Sequence, residues 1–257
     1  MSAPAPHPSS VELAERLGAT SAVATVVAND TISPTLRSIT LAHEDAVALA
    51  GEPGQDVMLY AGEHDGQIRR RRYSVRSVNA ETKEFTLWIA TTHDGPGANW
   101  AREAEVGSTI DVVGPRGKIP LDPLADWHIF MGGTVALGAF YRMAEAIEEP
   151  GRAIFIVEIP DPNDALTPNL PEGIGVTGIF IDRDGRAPSD PAGLLSGLAA
   201  FAFPPDTGHA YLFGEFSAVR AAKVALLDRG LTEEQISLKA FWRAGRGNAD
   251  HGEPVKD

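Results

Sequence analysis

The residues best suited to chemistry stand at Arg71-Arg72-Tyr73-Ser74, within the run IRRRRYSVR from 68 to 76. Arginine offers a planar fork of donors that matches a pyrophosphate, tyrosine a flat face for a ring system, and serine a hydroxyl that both donates and accepts. Together they suit a flavin dinucleotide. On a strand alternate side chains share a face, so Arg71 and Tyr73 point one way and Arg72 the other. The anion contact is therefore expected of Arg71 rather than Arg72. An R-x-Y-S tetrapeptide also arises by chance, so further elements must support it.

A second element follows at His93-Asp94-Gly95-Pro96-Gly97-Ala98-Asn99-Trp100. Glycines ahead of a helix start, expected from Ala98 to Glu105, present backbone N–H groups that hold phosphate without lysines. Taken alone, this stretch is equally a Gly-Pro turn, and His93 a structural histidine. A third element is Phe130-Met131-Gly132-Gly133-Thr134, where a buried strand ends in glycines and a helix follows, the place at which nucleotides approach a parallel sheet. It is not a G-x-G-x-x-G fingerprint. Glu158 ends the next strand, where an acid can hold a ribose 2′-hydroxyl.

Cations gather in two places. Arg69 to Arg72 with Arg76 form one acid-free island, and Lys239, Arg243 and Arg246, in KAFWRAGRG, form another. In a chain with a net charge of −13 they mark candidate anion sites. Trp242, beside the second island, is equally a core residue.

These residues need two kinds of scaffold. From Thr20 to Gly114 short alternating strands (SAVATVVA, PTLRSITLA, GQDVMLYA, RYSVRSV, EFTLWIA, STIDVV) are broken by turn residues such as Asn29-Asp30 and Glu52-Pro53-Gly54. They predict a six-stranded antiparallel β-barrel. After Pro120 strands alternate with helices: HIFMGG, AIFIVEI, TGIFI, AYLFG and SLKAFW are the strands. Helices are expected after Gly133, from Ala192 to Ala200, and from Ala218 to Arg229, the last with Ser217 as N-cap and Gly230 as its stop. This α/β pattern implies a parallel sheet of the nucleotide-binding kind. The expected division is an N-terminal extension over 1–17, a barrel domain over 18–122, an α/β domain over 123–247 and a polar tail over 248–257.

Composition narrows the chemistry. With 257 residues there is room for two modest cores. Without cysteine there are no disulfides, thiol nucleophiles or Cys-held metal clusters, so electron transfer needs an organic cofactor. The acidic balance speaks against nucleic acid and anionic membrane surfaces as partners. No apolar run spans a bilayer, and the start lacks the basic and apolar regions of a secretory signal. A cytoplasmic location is expected, with no protein-bound metal.

In order and spacing these motifs resemble the siderophore-interacting proteins, FAD-dependent ferric-siderophore reductases of the ferredoxin-reductase-like group. The resemblance runs from about Ala22 to Gly247. It includes Pro53-Gly54-Gln55, the R-x-Y-S motif, His93 with its Gly-Pro loop and Trp100, Gly114 to Gly117, Gly214-Glu215 and Phe241 to Gly245. It implies FAD held by Arg71 at the pyrophosphate, Tyr73 against the isoalloxazine and Ser74 near N5. Thr91, His93, Gly95, Gly97, Ala98, Asn99, Trp100 and Thr134 would complete the cofactor site. Gly132, Gly133, Gly214 and Glu215 would meet NADH or NADPH, and Lys239, Arg243 and Arg246 an anionic ferric siderophore. Tyr73 and Ser74 would be the catalytic pair, and a monomer is expected. Two departures stand out: Gly132-Gly133-Thr134-Val135-Ala136 replaces the family's frequent Gly-Asp-Glu-Thr-Ala, and Ala98 or Asn99 stands where a serine is common. Alternatives are a ferredoxin-reductase-like enzyme serving a protein or free-flavin acceptor, and a non-catalytic siderophore binder.

Overall fold

The structure is a computed structural model that describes residues 5–64 and 67–245. Contacts divide the chain into two units, Met1–Pro120 and Leu121–Asp257. The first begins with helix α1 (Pro8–Leu17) and continues with β1 (Thr20–Thr31), β2 (Leu36–Ala42), α2 (Ala46–Ala50), β3 (Asp56–His64), β4 (Gln67–Asn79), β5 (Glu84–Ala90), α3 (Pro96–Glu103) and β6 (Thr109–Arg116). The strands close an antiparallel barrel in the order β1-β2-β5-β4-β3-β6. Alternation builds it: Ala22, Ala24 and Val26 of β1 point inward with Ile39, Leu41, Leu59, Val75, Phe85 and Leu87. The stretch expected as an N-terminal extension contains α1, started by the His7 ring accepting from Ser9 N and ended at Gly18, whose φ is +62°.

Asn29 and Asp30, read above as a turn, continue β1 to Thr31. Asn29 finds partners elsewhere. Its Nδ2 donates to the carbonyls of Ala101 (3.0 Å) and Ala104 (2.8 Å), and its Oδ1 accepts from Arg37 Nε at 2.8 Å. These tertiary bonds satisfy the amide that would otherwise favour a local turn.

In the second unit lie β7 (Trp127–Gly133), α4 (Leu137–Ala144), β8 (Gly151–Ile159), β9 (Ile174–Asp182), α5 (Ala192–Ala199), β10 (Gly208–Glu215), α6 (Phe216–Asp228) and β11 (Ile236–Trp242). They form a parallel sheet in the order β11-β10-β7-β8-β9. Its central strands are buried on both faces, hence their continuous apolar runs. Leu194 and Leu198 of α5 and Val219, Ala222 and Leu226 of α6 pack on the sheet with Ile129, Met131, Ile154 and Leu212. The edge strand β9 is different: Gly175 to Gly178 are exposed, and its connection from β8 carries only a 3-10 turn, Pro162–Asp164, where β7 to β8 has α4. No helix among the described residues is long and apolar enough to cross a membrane.

Near the amino ends of β7 and β10 sits a buried polar cluster. His209 Nδ1 lies 3.0 Å from Asp122 Oδ2, and its Nε2 lies 3.0 Å from Ser237 Oγ. Asp122 N donates to the Tyr211 hydroxyl at 2.7 Å. His128 lies beside the stacked pair Phe130 and Tyr211, its ring centroid 6.4 and 6.0 Å from theirs, and is 2% exposed, with no partner for Nδ1 among the described residues. Burial first, and the neighbouring His209 second, push its pKa down to about 4, against the pull of Asp122. The folded ring thus stays neutral at pH values where the unfolded one, near 6.5, gains a proton. Its contribution is fully present above about pH 6.5 and is lost as pH falls toward 4. Urea titrations should show stability dropping by at most about 3 kcal/mol over that window on account of this group. His128→Phe should flatten the slope; an unchanged slope would contradict the assignment.

Candidate functional site

On β4, Arg71 pairs in register with Leu59, Tyr73 with Val57 and Ser74 with Asp56. Val75 is wholly buried, so the odd-numbered face turns toward the barrel core and places Arg71 and Tyr73 together. The first turn of α3 comes down on that face. A Cβ on Gly97 would lie 1.8 Å from Tyr73 Oη and 3.1 Å from Arg71 Cγ, so only glycine admits the approach. Tyr73 and Trp100 rest on the barrel core. Ser74 belongs to the other face by alternation, one residue beyond the tyrosine.

Burial raises the Tyr73 pKa, opposed by Arg71, so the phenol stays neutral. Burial likewise lowers Arg71 from its ordinary value, which still leaves the guanidinium charged at neutral pH. His93, at the exposed end of the loop, has a pKa below the usual range through partial desolvation of its ring and then the nearby Arg102, with Asp94 opposing. The imidazole is neutral at physiological pH.

The loop that carries His93 is held by Arg102 of α3. Its Nη1 donates to Thr91 O at 2.8 Å, and its Nη2 donates to Asp94 Oδ1 at 3.2 Å and to Asn99 Oδ1. Thr91 N in turn bonds Thr35 O at 2.9 Å. Gly97 and Ala98 are buried and Asn99 exposed. A charged fork, a flat neutral ring and a helix start with little side-chain bulk thus converge, and a pyrophosphate joined to a ring system fits this set of groups. The Pro53-Gly54-Gln55 turn is tied to the turn after β6, since Gln55 accepts from Glu52 N at 2.9 Å and donates to Gly117 O at 3.0 Å.

Arg72 has a separate task. It grips Asp56, which is 1% exposed, with two bonds: Nε to Oδ1 at 3.0 Å and Nη2 to Oδ2 at 2.8 Å. Asp56, Asn29, Gln55 and Arg102 went unremarked as single residues in the sequence. Their signal lies in partners far along the chain, which no local spacing encodes.

In the second unit Gly132, Gly133, Thr134, Gly214 and Glu215 meet where β7 and β10 end side by side, the point at which strand order reverses. A Cβ on Gly132 would stand 1.9 Å from Phe213 O. Gly214 has a φ of +151° and faces Gly133 N. Thr134 is 5% exposed, its hydroxyl without a partner among the described residues. Glu215 is fully occupied: Oε2 accepts from Ser217 N (2.6 Å) and Ala218 N (3.1 Å), and Oε1 from Ala244 N (3.0 Å). Glu215, not Ser217, is therefore the N-cap of α6, which starts at Phe216. Its carboxylate reaches donors that the shorter serine, two positions on, occupies with its own backbone. Glu158 is buried too, with Arg183 Nε at 3.3 Å and Arg186 Nη2 at 3.7 Å, and a Gly193 Cβ would sit 2.5 Å from its Oε1. It braces the turn after β9, and burial raises its pKa despite the two arginines.

The described cations of the second island differ in their surroundings. Lys239 is 8% exposed, with its ammonium 5.6 Å from the Phe241 ring centroid, whereas Arg243 lies over Phe216 at 4.7 Å, beside Arg220. Arg246 and the expected tail over 248–257 lie outside the described residues. Among the described residues no group of three His, Asp or Glu side chains is placed to hold a metal.

Comparison with known proteins places these features in a family context. Residues 125–245 match the family model of siderophore-interacting proteins, and residues 53–119 that of the siderophore-interacting FAD-binding domain. Ferric vibriobactin reductase ViuB of Vibrio cholerae is 25% identical over 189 residues, covering 71% of this chain and 68% of that protein. An uncharacterized Mycobacterium tuberculosis protein is 29% identical over 187 residues, 68% of this chain, and the match spans 65% of that relative's length. The crystal structure of a siderophore utilization protein from T. fusca superimposes with a TM-score of 0.80 at 25% identity, covering 91% of this chain and 96% of that one.

The Arg72–Asp56 pair yields a stability expectation. Arg72→Ala removes two charge-assisted bonds from a buried carboxylate and should lower the unfolding free energy by roughly 3 kcal/mol. Arg72→Met with Asp56→Leu should recover most of it. Denaturant melts showing the single and double variants equally destabilised would refute the pairing.

Proposed function

This chain belongs to the siderophore-interacting protein family, and on that premise we propose that it is an FAD-dependent oxidoreductase that takes reducing equivalents from NAD(P)H and reduces siderophore-bound Fe(III). The observation that carries the reading is the shared face of Arg71 and Tyr73 under the glycine start of α3. There Arg71 holds the dianionic pyrophosphate and the neutral Tyr73 offers its ring to the isoalloxazine. Ser74 serves the reacting edge near N5. Thr91, His93, Gly95, Gly97, Ala98, Asn99 and Trp100 line the remainder of the cofactor site. At the ends of β7 and β10, Gly132, Gly133 and Gly214 keep side chains away from the nicotinamide nucleotide, and Glu215 keeps that opening in shape.

Bound FAD supplies the conversion of a two-electron hydride into single electrons for iron. Siderophores hold Fe(III) through hard oxygen donors that bind Fe(II) far less well, so reduction releases the metal, and the protein needs no iron ligand of its own. Many such complexes are anionic. In a chain of net charge −13 they need a local cation to approach, the part we give to Arg243 and Arg246. Lys239, nearly buried against Phe241, supports the strand rather than the encounter. The name of the Vibrio cholerae relative supports the choice of a ferric siderophore as acceptor.

Purified protein should be yellow, and Arg71→Ala should bind FAD about 10 to 100 times more weakly, the loss of one or two charge-assisted bonds. Ser74→Ala should retain FAD and slow its reduction by NAD(P)H in stopped flow. Anaerobically reduced protein should then deliver iron from ferric siderophores to an Fe(II) chelator. Colourless protein with no affinity for added FAD would sink the reading. Turnover with ferredoxin or free flavin but with no ferric siderophore would replace the acceptor.

A further inference from the structure

A guanidinium carries five donors and no acceptor, so every atom it meets in a hydrogen bond must be an oxygen lone pair or its equivalent. Arg102 meets four oxygens drawn from nine residues of chain: Thr91 O, His93 O at 3.5 Å, Asp94 Oδ1 and Asn99 Oδ1. These span the loop that delivers α3 to the Arg71–Tyr73 face. Within the loop itself backbone bonding is sparse, with Thr91 N tied to Thr35 O at its start and Asn99 N to Gly95 O at its end. Between them stand Gly95, Pro96 and Gly97, which leave no side-chain donor to fix its course.

The arginine is itself anchored. Asn29 holds the Ala101 and Ala104 carbonyls on either side of it, so α3 is fixed at its end and Arg102 reaches back from there. Arg102 and Asp94 are both exposed, 37% and 99% by side chain, and an exposed pair of this kind adds little to overall stability. What the contacts supply is shape. Arg102 also settles the direction of one amide: because it can only meet the Asn99 oxygen, the Asn99 NH2 group is turned away from it as a free-facing donor.

Resting on the flavin assignment above, we propose that Arg102 is the positioning residue of the cofactor loop, and that it orients Asn99 so that the NH2 group donates to a phosphate of FAD. Arg102 touches neither ring nor phosphate in this role. Asn99 is the contact, and its neighbour sets which end of the amide is presented.

Full-length protein freed of flavin and titrated with FAD, read by fluorescence quenching, tests both parts. Asn99→Asp keeps an oxygen for Arg102 but presents oxygen where the NH2 group stood, and should weaken FAD at least 10-fold; Asn99→Ser restores a donor and should stay within about 3-fold of wild type. Arg102→Gln should weaken FAD by 10-fold or more, with Arg102→Lys between it and wild type. A merely structural role would move the melting point instead, which should stay near wild type for the Asn99 variants. The His93 imidazole, followed by NMR, should titrate at higher pH in Arg102→Gln, since a neighbouring cation has gone. Wild-type affinity in Asn99→Asp overturns the donor role, and wild-type affinity in Arg102→Gln overturns the positioning role. Should wild type bind no FAD, the flavin assignment fails, and an unmoved His93 titration then also overturns the clasp.

Discussion

No methyl group fits between Gly97 and the Tyr73 hydroxyl, and the arrangement of the first unit follows from that close approach. Bringing a helix start so near a strand requires the strand to show one face of large groups and the helix to show none. β4 meets the first condition by alternation, with Val75 anchoring the face in the core and Arg71 and Tyr73 extending it. α3 meets the second with Gly97 and Ala98. The barrel below supplies the rigidity: Tyr73 and Trp100 rest on its core, and Asn29 reaches from β1 to the far end of α3. The guanidinium, the ring and the helix start are thereby held in one arrangement.

Buried carboxylates recur as braces. Asp56 joins β3 to β4 through Arg72, Glu158 joins β8 to the turn after β9, and Glu215 joins α6 to the segment after β11. Each charge out of water must be answered by donors in good geometry, so it restricts the positions its partners can take. In the second unit the effect is to fix the rim around Gly132, Gly133 and Gly214, of which Gly132 and Gly214 are buried and Gly133 is partly exposed. The acids at strand ends here therefore act as braces of that rim. Glu215 has no oxygen to spare, since both are bonded, whereas Glu158 Oε1, beside α5 and 3.7 Å from Arg186 Nη2, has no hydrogen-bond partner among the described residues.

Much of this was legible in the amino-acid order. Strict alternation in SAVATVVA and EFTLWIA leaves one face for a core, and a closed barrel is what six such strands make. Apolar runs interleaved with helical spacing could only become a parallel sheet. The common face of Arg71 and Tyr73 followed from the period of a strand. What could not be read were features whose cause lies across space. Asn29 is a turn former until α3 offers it two carbonyls. Ser217 is a good cap until a glutamate two residues earlier takes the same N–H groups. Lys239 counts as a cation in composition, yet its strand leaves it only 8% exposed, with its ammonium 5.6 Å from the Phe241 ring centroid. Clustering along a chain does not distinguish a cation that meets solvent from one that a strand buries.

The bare outer strand of the second unit bears on how copies of this protein behave together. From Ile174 to Ile181, β9 has no charged residue and no proline, and its pairing with β8 runs without a bulge. It lacks the features by which most sheet edges discourage a neighbouring strand. What stands in their place is long-range: a net charge of −13 makes each molecule repel the next before two edges can meet. That protection belongs to the solution as much as to the fold. It weakens as salt shortens the reach of charge and as acid neutralises the carboxylates, so the colloidal stability of the protein is tied to ionic strength and pH through a strand that takes no part in its chemistry.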